Sequence, residues 1–136
     1  MNIPNYDLVF TDSDFSRTAC YIEKNSDFKL TFSGKGCEVI SIENKTQKII
    51  GVYRPFKLGE NETLVGNFEK LMTCLDMECR TQKTVVIAGD FNIDLARSTD
   101  PRYTNISMVR KLEHWAINHG LSPGCGLYMQ GWTSRE

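Results

Sequence analysis

The chemistry in this chain gathers where one apolar run stops. Val85-Val86-Ile87-Ala88 leads into Gly89-Asp90-Phe91-Asn92, which sets an aspartate and an asparagine two residues apart just past a strand's carboxyl end. Layered α/β proteins favour that location for ligands. Residues two apart in extended backbone point the same way, so Asp90 and Asn92 are expected to face one substrate while Phe91 anchors in the core. A carboxylate there can hold a metal ion or take a proton from water. A neighbouring amide can orient that water or donate to a phosphate oxygen. The same four residues also fit a plain turn, in which Asp and Asn bond nearby backbone. Upstream, Tyr53-Arg54-Pro55 closes a second apolar run. By itself Tyr53 reads as a strand-end aromatic with a buried ring and a wet hydroxyl, and Arg54 as a surface charge.

The elements that must position these residues are strands first and helices later. Tyr6 to Phe10, Arg17 to Glu23 and Asp27 to Phe32 read as strands, with Lys24-Asn25-Ser26 as a turn between the last two. Glu38 to Glu43 and Gln47 to Tyr53 form a hairpin around Asn44-Lys45-Thr46, and Pro55 stops the second strand near Arg54. Apolar residues then recur at Leu64, Phe68, Leu71, Met72, Leu75 and Cys79, a helical stripe. Thr84 to Ala88 is apolar throughout, as in a strand covered on both faces. A second helix is expected from Asn105 to His119, with Ile106, Val109, Leu112 and Ala116 inward and Gly120 at the stop. The remaining tail is rich in Gly and Pro and reads as loop. This order predicts one mixed α/β layered domain over residues 1–136.

Composition sets the outer limits. The chain has 136 residues, 40% hydrophobic and 24% charged, the balance of an ordinary globular domain. Sixteen basic against 17 acidic side chains give a net charge of -1, which excludes a protein that coats nucleic acid by charge alone. An enzyme that meets nucleic acid at one site remains compatible. The N-terminus has neither a basic nor an apolar leader region, and the apolar runs fall far short of the ~20 residues that span a bilayer. Five cysteines cannot pair completely, and no CxxC occurs. The expectation is reduced thiols in an intracellular protein, nuclear or cytoplasmic and not secreted.

Gly89-Asp90-Phe91-Asn92 after an apolar strand resembles the "GDFN" signature of the endonuclease/exonuclease/phosphatase superfamily, whose fold is deoxyribonuclease I-like. Tyr53-Arg54-Pro55 resembles the "YRPP" segment in endonuclease domains of non-LTR (LINE-type) retrotransposons, with Phe56 in place of the second proline. Helix, buried strand and GDFN follow in the family's order. Ala116-Ile117-Asn118-His119-Gly120-Leu121 is similar to the helix-then-"GL" step, and Trp132-Thr133-Ser134-Arg135 to the start of the strand after it.

This resemblance implies a two-sheet α/β sandwich of four layers (α-β-β-α) and a metal-dependent phosphodiesterase, a DNA endonuclease of retroelement type. By the same resemblance, Asp90 would bind magnesium or manganese weakly and polarise or deprotonate the attacking water. Asn92 would orient that water or touch a phosphate oxygen, and Tyr53 would donate to the phosphate. Arg54 and Thr133 would contact the DNA backbone. The resemblance covers only the middle of the family's domain, which implies a domain incomplete at both ends. The family's metal-binding glutamate and its Ser-Asp-His motif have no counterpart in these residues. Asp12 and Asp14 read as a solvated turn, and His114 and His119 as surface residues. The other readings are an inactive remnant acting as a binding module and a phosphoinositide or nucleotide phosphatase of the same superfamily. Unpaired sheet edges would favour self-association.

Overall fold

Strand and helix follow the change of apolar period from two to 3.6 along the chain. The computed structural model describes residues 2–12, 16–34, 37–55, 62–97, 99–123 and 131–134. Within them lie β1 (Tyr6–Phe10), β2 (Ala19–Glu23), β3 (Lys29–Ser33), β4 (Glu38–Glu43), β5 (Gln47–Tyr53), α1 (Leu64–Glu78), β6 (Thr84–Asp90), α2 (Ile106–Asn118), β7 (Leu121–Pro123) and β8 (Gly131–Ser134). β1 and β2 pair as a two-stranded sheet. The others form a six-stranded sheet in the order β3-β4-β5-β6-β8-β7.

The β4–β5 hairpin turns where Asn44 Oδ1 accepts from the amides of Thr46 and Gln47, so the polar triplet builds its own turn. β5 and β6 then run parallel, with Ile50 beside Ile87 and Tyr53 beside Asp90. Parallel neighbours need a long crossover, and α1 supplies it. Thr63 starts that helix, its hydroxyl accepting from the Gly66 amide at 3.0 Å. Thr63→Ala is expected to cost about 1 kcal/mol in urea unfolding, with Thr63→Ser retaining most of the stability.

Alternation along the strands decides which residues meet the helices. Val39, Ile50, Val52, Val85 and Ile87 pack with Phe68, Leu71 and Leu75 of α1 and with Met108, Val109, Leu112 and Ala116 of α2. Both helices therefore cover one face of the six-stranded sheet. On the opposite face lie Ile40, Ile49, Gly51 and Ala88, approached by Thr18 and Cys20 at the start of β2. Of the expected four layers, the described residues supply the helix layer, the six-stranded sheet and the β1–β2 ribbon. β6 departs from the sequence expectation: Val85 and Ile87 are buried, while Val86 and Ala88 are only half-buried. A wholly apolar run does not require two equally covered faces.

The tail departs from its composition-based reading as loop, while a strand does run through residues 132–134, where the resemblance put a strand start. Leu121–Pro123 and Gly131–Ser134 add two antiparallel strands, β8 pairing with β6 and β7 with β8. Strands of three and four residues are too short to show alternation. Pro123 is accommodated because β7 lies at the sheet edge. Among the described residues, no helix is long and apolar enough to cross a membrane.

Candidate functional site

The carboxyl ends of β5 and β6 come together, as parallel pairing of these strands requires. Tyr53 and Asp90 are direct neighbours across them. Val52 and Ile87 belong to the helix-covered face, so alternation sends Tyr53 and Asp90 to the opposite, open face. There both line a cavity of about 510 Å³, floored by Ile40, Ile49 and Ala88 and rimmed by Arg17. Asp90 is exposed and Tyr53 half-buried.

The residues after Asp90 correct the expectation that Asp90 and Asn92 lie side by side on extended backbone. The strand ends at Asp90, and Asn92 takes a left-handed conformation with φ 51°. Asp90 Oδ1 accepts from the Asn92 amide at 2.8 Å, closing a turn. Asn92 Nδ2 donates to the Arg54 carbonyl, which ties the turn to the end of β5. The Arg54 amide in return donates to the Asp90 carbonyl at 2.8 Å. Phe91 is fully buried, the anchor expected of it. Gly89 makes this junction sterically possible: its φ is 151°, and a Cβ there would lie 1.8 Å from the Val52 carbonyl oxygen.

Arg54 is the second correction. It is neither a surface charge nor beside Tyr53, because consecutive strand residues point to opposite faces. Its side chain runs into the helix-covered side and is 3% exposed. Nη1 donates to the Phe91 carbonyl at 3.2 Å and Nη2 approaches Met108 Sδ at 3.4 Å, with the guanidinium 6.0 Å from the centre of the Phe68 ring. Burial lowers its pKa from the usual guanidinium value. Arg54 therefore fastens β5 and the Phe91 turn to the helices.

The cation at the cavity is Arg17, which the sequence pattern marks only as the first residue of a strand. Arg17 Nη1 donates to the Tyr53 hydroxyl at 3.0 Å, and its guanidinium carbon is 5.5 Å from the centre of the Tyr53 ring. The Arg17 amide donates to Glu38 Oε2 at 3.1 Å, which also accepts from the fully buried Thr11 hydroxyl at 2.7 Å. Glu38 in turn faces Tyr53 across β4 and β5. No periodicity or motif marks Arg17, since its partners are 21 and 36 positions away.

Thr133 takes its place in β8 opposite Val86. Its side chain, like Asp14, Cys125 and Arg135, lies outside the described residues. The Asp12 amide donates to Ser33 Oγ at 2.8 Å, so the start of the loop after β1 is held by β3. Asp94 uses Oδ1 to accept from the Ala96 amide at 3.0 Å. His114 is exposed. His119 joins the two helices, with Nε2 3.0 Å from Asp76 Oδ1 and Nδ1 2.9 Å from the Trp115 carbonyl. Arg80 beside Asp76, with Trp115 behind it, holds that carboxyl below its usual range. Neither histidine lines the Tyr53–Asp90 cavity.

A magnesium ion wants near-octahedral oxygens, from one or two carboxylates together with waters and substrate phosphate. Asp90 is the cavity's carboxylate, and among the described residues no three His, Cys, Asp or Glu side chains gather as a metal group. The described donors do not by themselves fit a resident ion. What fold and geometry define is a mixed α/β domain with a carboxylate, a phenol and a guanidinium gathered at the ends of two parallel strands. The chain matches no protein-family model and no curated protein.

Proposed function

We propose that the Tyr53–Asp90 end of the sheet is a phosphodiester site, and that the chain is a partial endonuclease domain of deoxyribonuclease I-like type acting on DNA. The supporting observation is the pairing of Tyr53 with Asp90 on neighbouring parallel strands, with Arg17 bonded to the Tyr53 hydroxyl over an open cavity. Arg17 and the Tyr53 hydroxyl would receive the phosphate oxygens: the guanidinium is a fixed fork of donors, and the phenol already accepts from it, leaving its own proton free to donate. Asp90 would take the proton of the attacking water. Asn92 Nδ2 is occupied by the Arg54 carbonyl, so its part is to fix the turn that presents Asp90. By the resemblance, a divalent cation would supply charge neutralisation. The described residues leave its remaining ligands to substrate, water or further protein groups.

A second reading draws on the same turn. One Asp90 oxygen and the Asn92 amide group are already used on backbone, which leaves Arg17 and the Tyr53 hydroxyl as the phosphate-binding groups of a module that binds the DNA backbone without cutting it.

The test is plasmid nicking with magnesium, manganese or EDTA, with duplex binding measured over a salt series. The 136 residues alone are expected to nick near background and to bind weakly. Arg17→Ala is expected to lower affinity and to reduce the salt slope by about 1. A longer version carrying a glutamate strand and a Ser-Asp-His strand is expected to nick, and Asp90→Ala in it to lose on the order of 10³-fold or more. No nicking by that version with any metal, alongside retained binding, would leave only the binding module. Turnover of phosphoinositide or nucleotide esters in place of DNA would reassign the substrate.

A further inference from the structure

Cys37 and Cys74 stand 37 positions apart in sequence, yet their Sγ atoms are 2.6 Å apart. Cys37 directly precedes β4, and Cys74 lies on the sheet-facing side of α1, packed against the core. Both thiols are half-buried. The loop before β4 leaves room for this meeting only because residue 34 is glycine. A Cβ there would come 2.6 Å from both Cys37 Sγ and the Cys37 carbonyl oxygen. Cys20, by contrast, directs its thiol to the neighbouring Tyr21 carbonyl at 3.7 Å.

We propose that Cys37 and Cys74 are a redox pair that closes into a reversible disulfide, with a low-molecular-weight disulfide of the glutathione type as oxidant. A disulfide bond is about 2.05 Å long, so the sulfurs need to close by only about 0.5 Å. One cysteine loses its proton and its thiolate attacks a sulfur of the oxidant. That forms a mixed disulfide and releases one small thiolate, which takes up a proton. The second cysteine, deprotonated in turn, attacks the protein sulfur of the mixed disulfide. The Cys37–Cys74 bond forms, the mixed bond breaks, and a second small thiol leaves. Two protein thiols are oxidised and one small disulfide is reduced to two thiols.

Burial, reinforced by the adjacent Cys74 thiol, pushes Cys37 up to about 12. The thiolate is the reacting form, so exchange is slow near neutral pH and quickens as pH rises. Once closed, the bond ties the middle of α1 to the strand that carries Glu38, the residue that accepts from Thr11 and from the Arg17 amide. It also closes a long loop, which restricts the unfolded chain.

The experiment incubates the native 136-residue chain with oxidised glutathione over a pH series. Remaining thiols are then alkylated and the peptides mapped by mass spectrometry without reduction. The expected product joins Cys37 to Cys74 and weighs two hydrogens less than the separate peptides. Fragmentation separates Cys74 from Cys79, which shares its tryptic peptide. The thermal midpoint is expected to rise by about 10 °C and to fall back on addition of dithiothreitol. Cys37→Ser and Cys74→Ser should each remove both the cross-link and the rise. Glutathione adducts at Cys37 or Cys74 without a cross-link would overturn the pairing. So would a bond of either to Cys20, Cys79 or Cys125, or no oxidation at a pH where free glutathione exchanges. The wild-type map alone decides the matter if a serine variant does not fold.

Discussion

Gly89→Ala is expected to lower the urea midpoint by a large fraction of its wild-type value. The added methyl would lie 1.8 Å from the Val52 carbonyl oxygen and within 2.8 Å of the Val52 carbon and nitrogen. These are backbone atoms of the neighbouring strand, held by the β5–β6 ladder, so they cannot swing aside as a side-chain tip would. The φ of 151° adds strain of its own. Strain and overpacking together cost about 3–5 kcal/mol, set against a total stability of about 5–15 kcal/mol. Circular dichroism and urea unfolding would report the loss. A Gly89→Ala chain with an unchanged urea midpoint would mean that β5 and β6 are not in register there, and the neighbourhood of Tyr53 and Asp90 would fall with it.

That junction shows how far the sequence could be read. In the sequence Gly89 stands out only as part of a four-residue motif, whereas its steric demand comes from Val52, far away in the chain and adjacent in the sheet. Asp90 at a strand end, Phe91 in the core and the stop of β5 before Pro55 follow from local rules of alternation, burial and proline chemistry. They are found where those rules put them. Extending the two-residue alternation one step beyond the strand misplaces Asn92. Once the ladder stops, an Asx turn competes with extended backbone, and here the turn wins with two hydrogen bonds.

Arg54 and Arg17 exchanged places for a related reason. Arginine is seldom fully buried, so composition favours a surface site for Arg54. The alternation that placed Asp90 and Phe91 also turns Arg54 away from Tyr53, and the fold accommodates it by wrapping its guanidinium with Phe91, Phe68 and Met108. Arg17 precedes a short strand of the other sheet, and only the approach of that strand to β4 and β5 brings it to Tyr53. Sheet-to-sheet contacts of this kind leave no periodic trace. The same holds for β7 and β8, whose few residues pair because β6 offers them an edge.

Arg54 can be tested apart from any activity. Arg54→Ala removes the donor to the Phe91 carbonyl and opens a hole beside Phe68, and the cost is expected to be about 3–4 kcal/mol in urea unfolding. Arg54→Met keeps most of the volume and removes a charge whose Nε finds no hydrogen-bond partner. Replacing a buried charge by a packed apolar group is often close to neutral, so Arg54→Met is expected to lose less than about 1.5 kcal/mol. DNA affinity per folded molecule should then be unchanged in Arg54→Met and reduced in Arg17→Ala. The two arginines differ in this way because one is sealed on the helix side of β5 while the other rims the open cavity. A stable Arg54→Met that no longer binds DNA would place the Arg54 guanidinium on the phosphate, against the burial of its side chain.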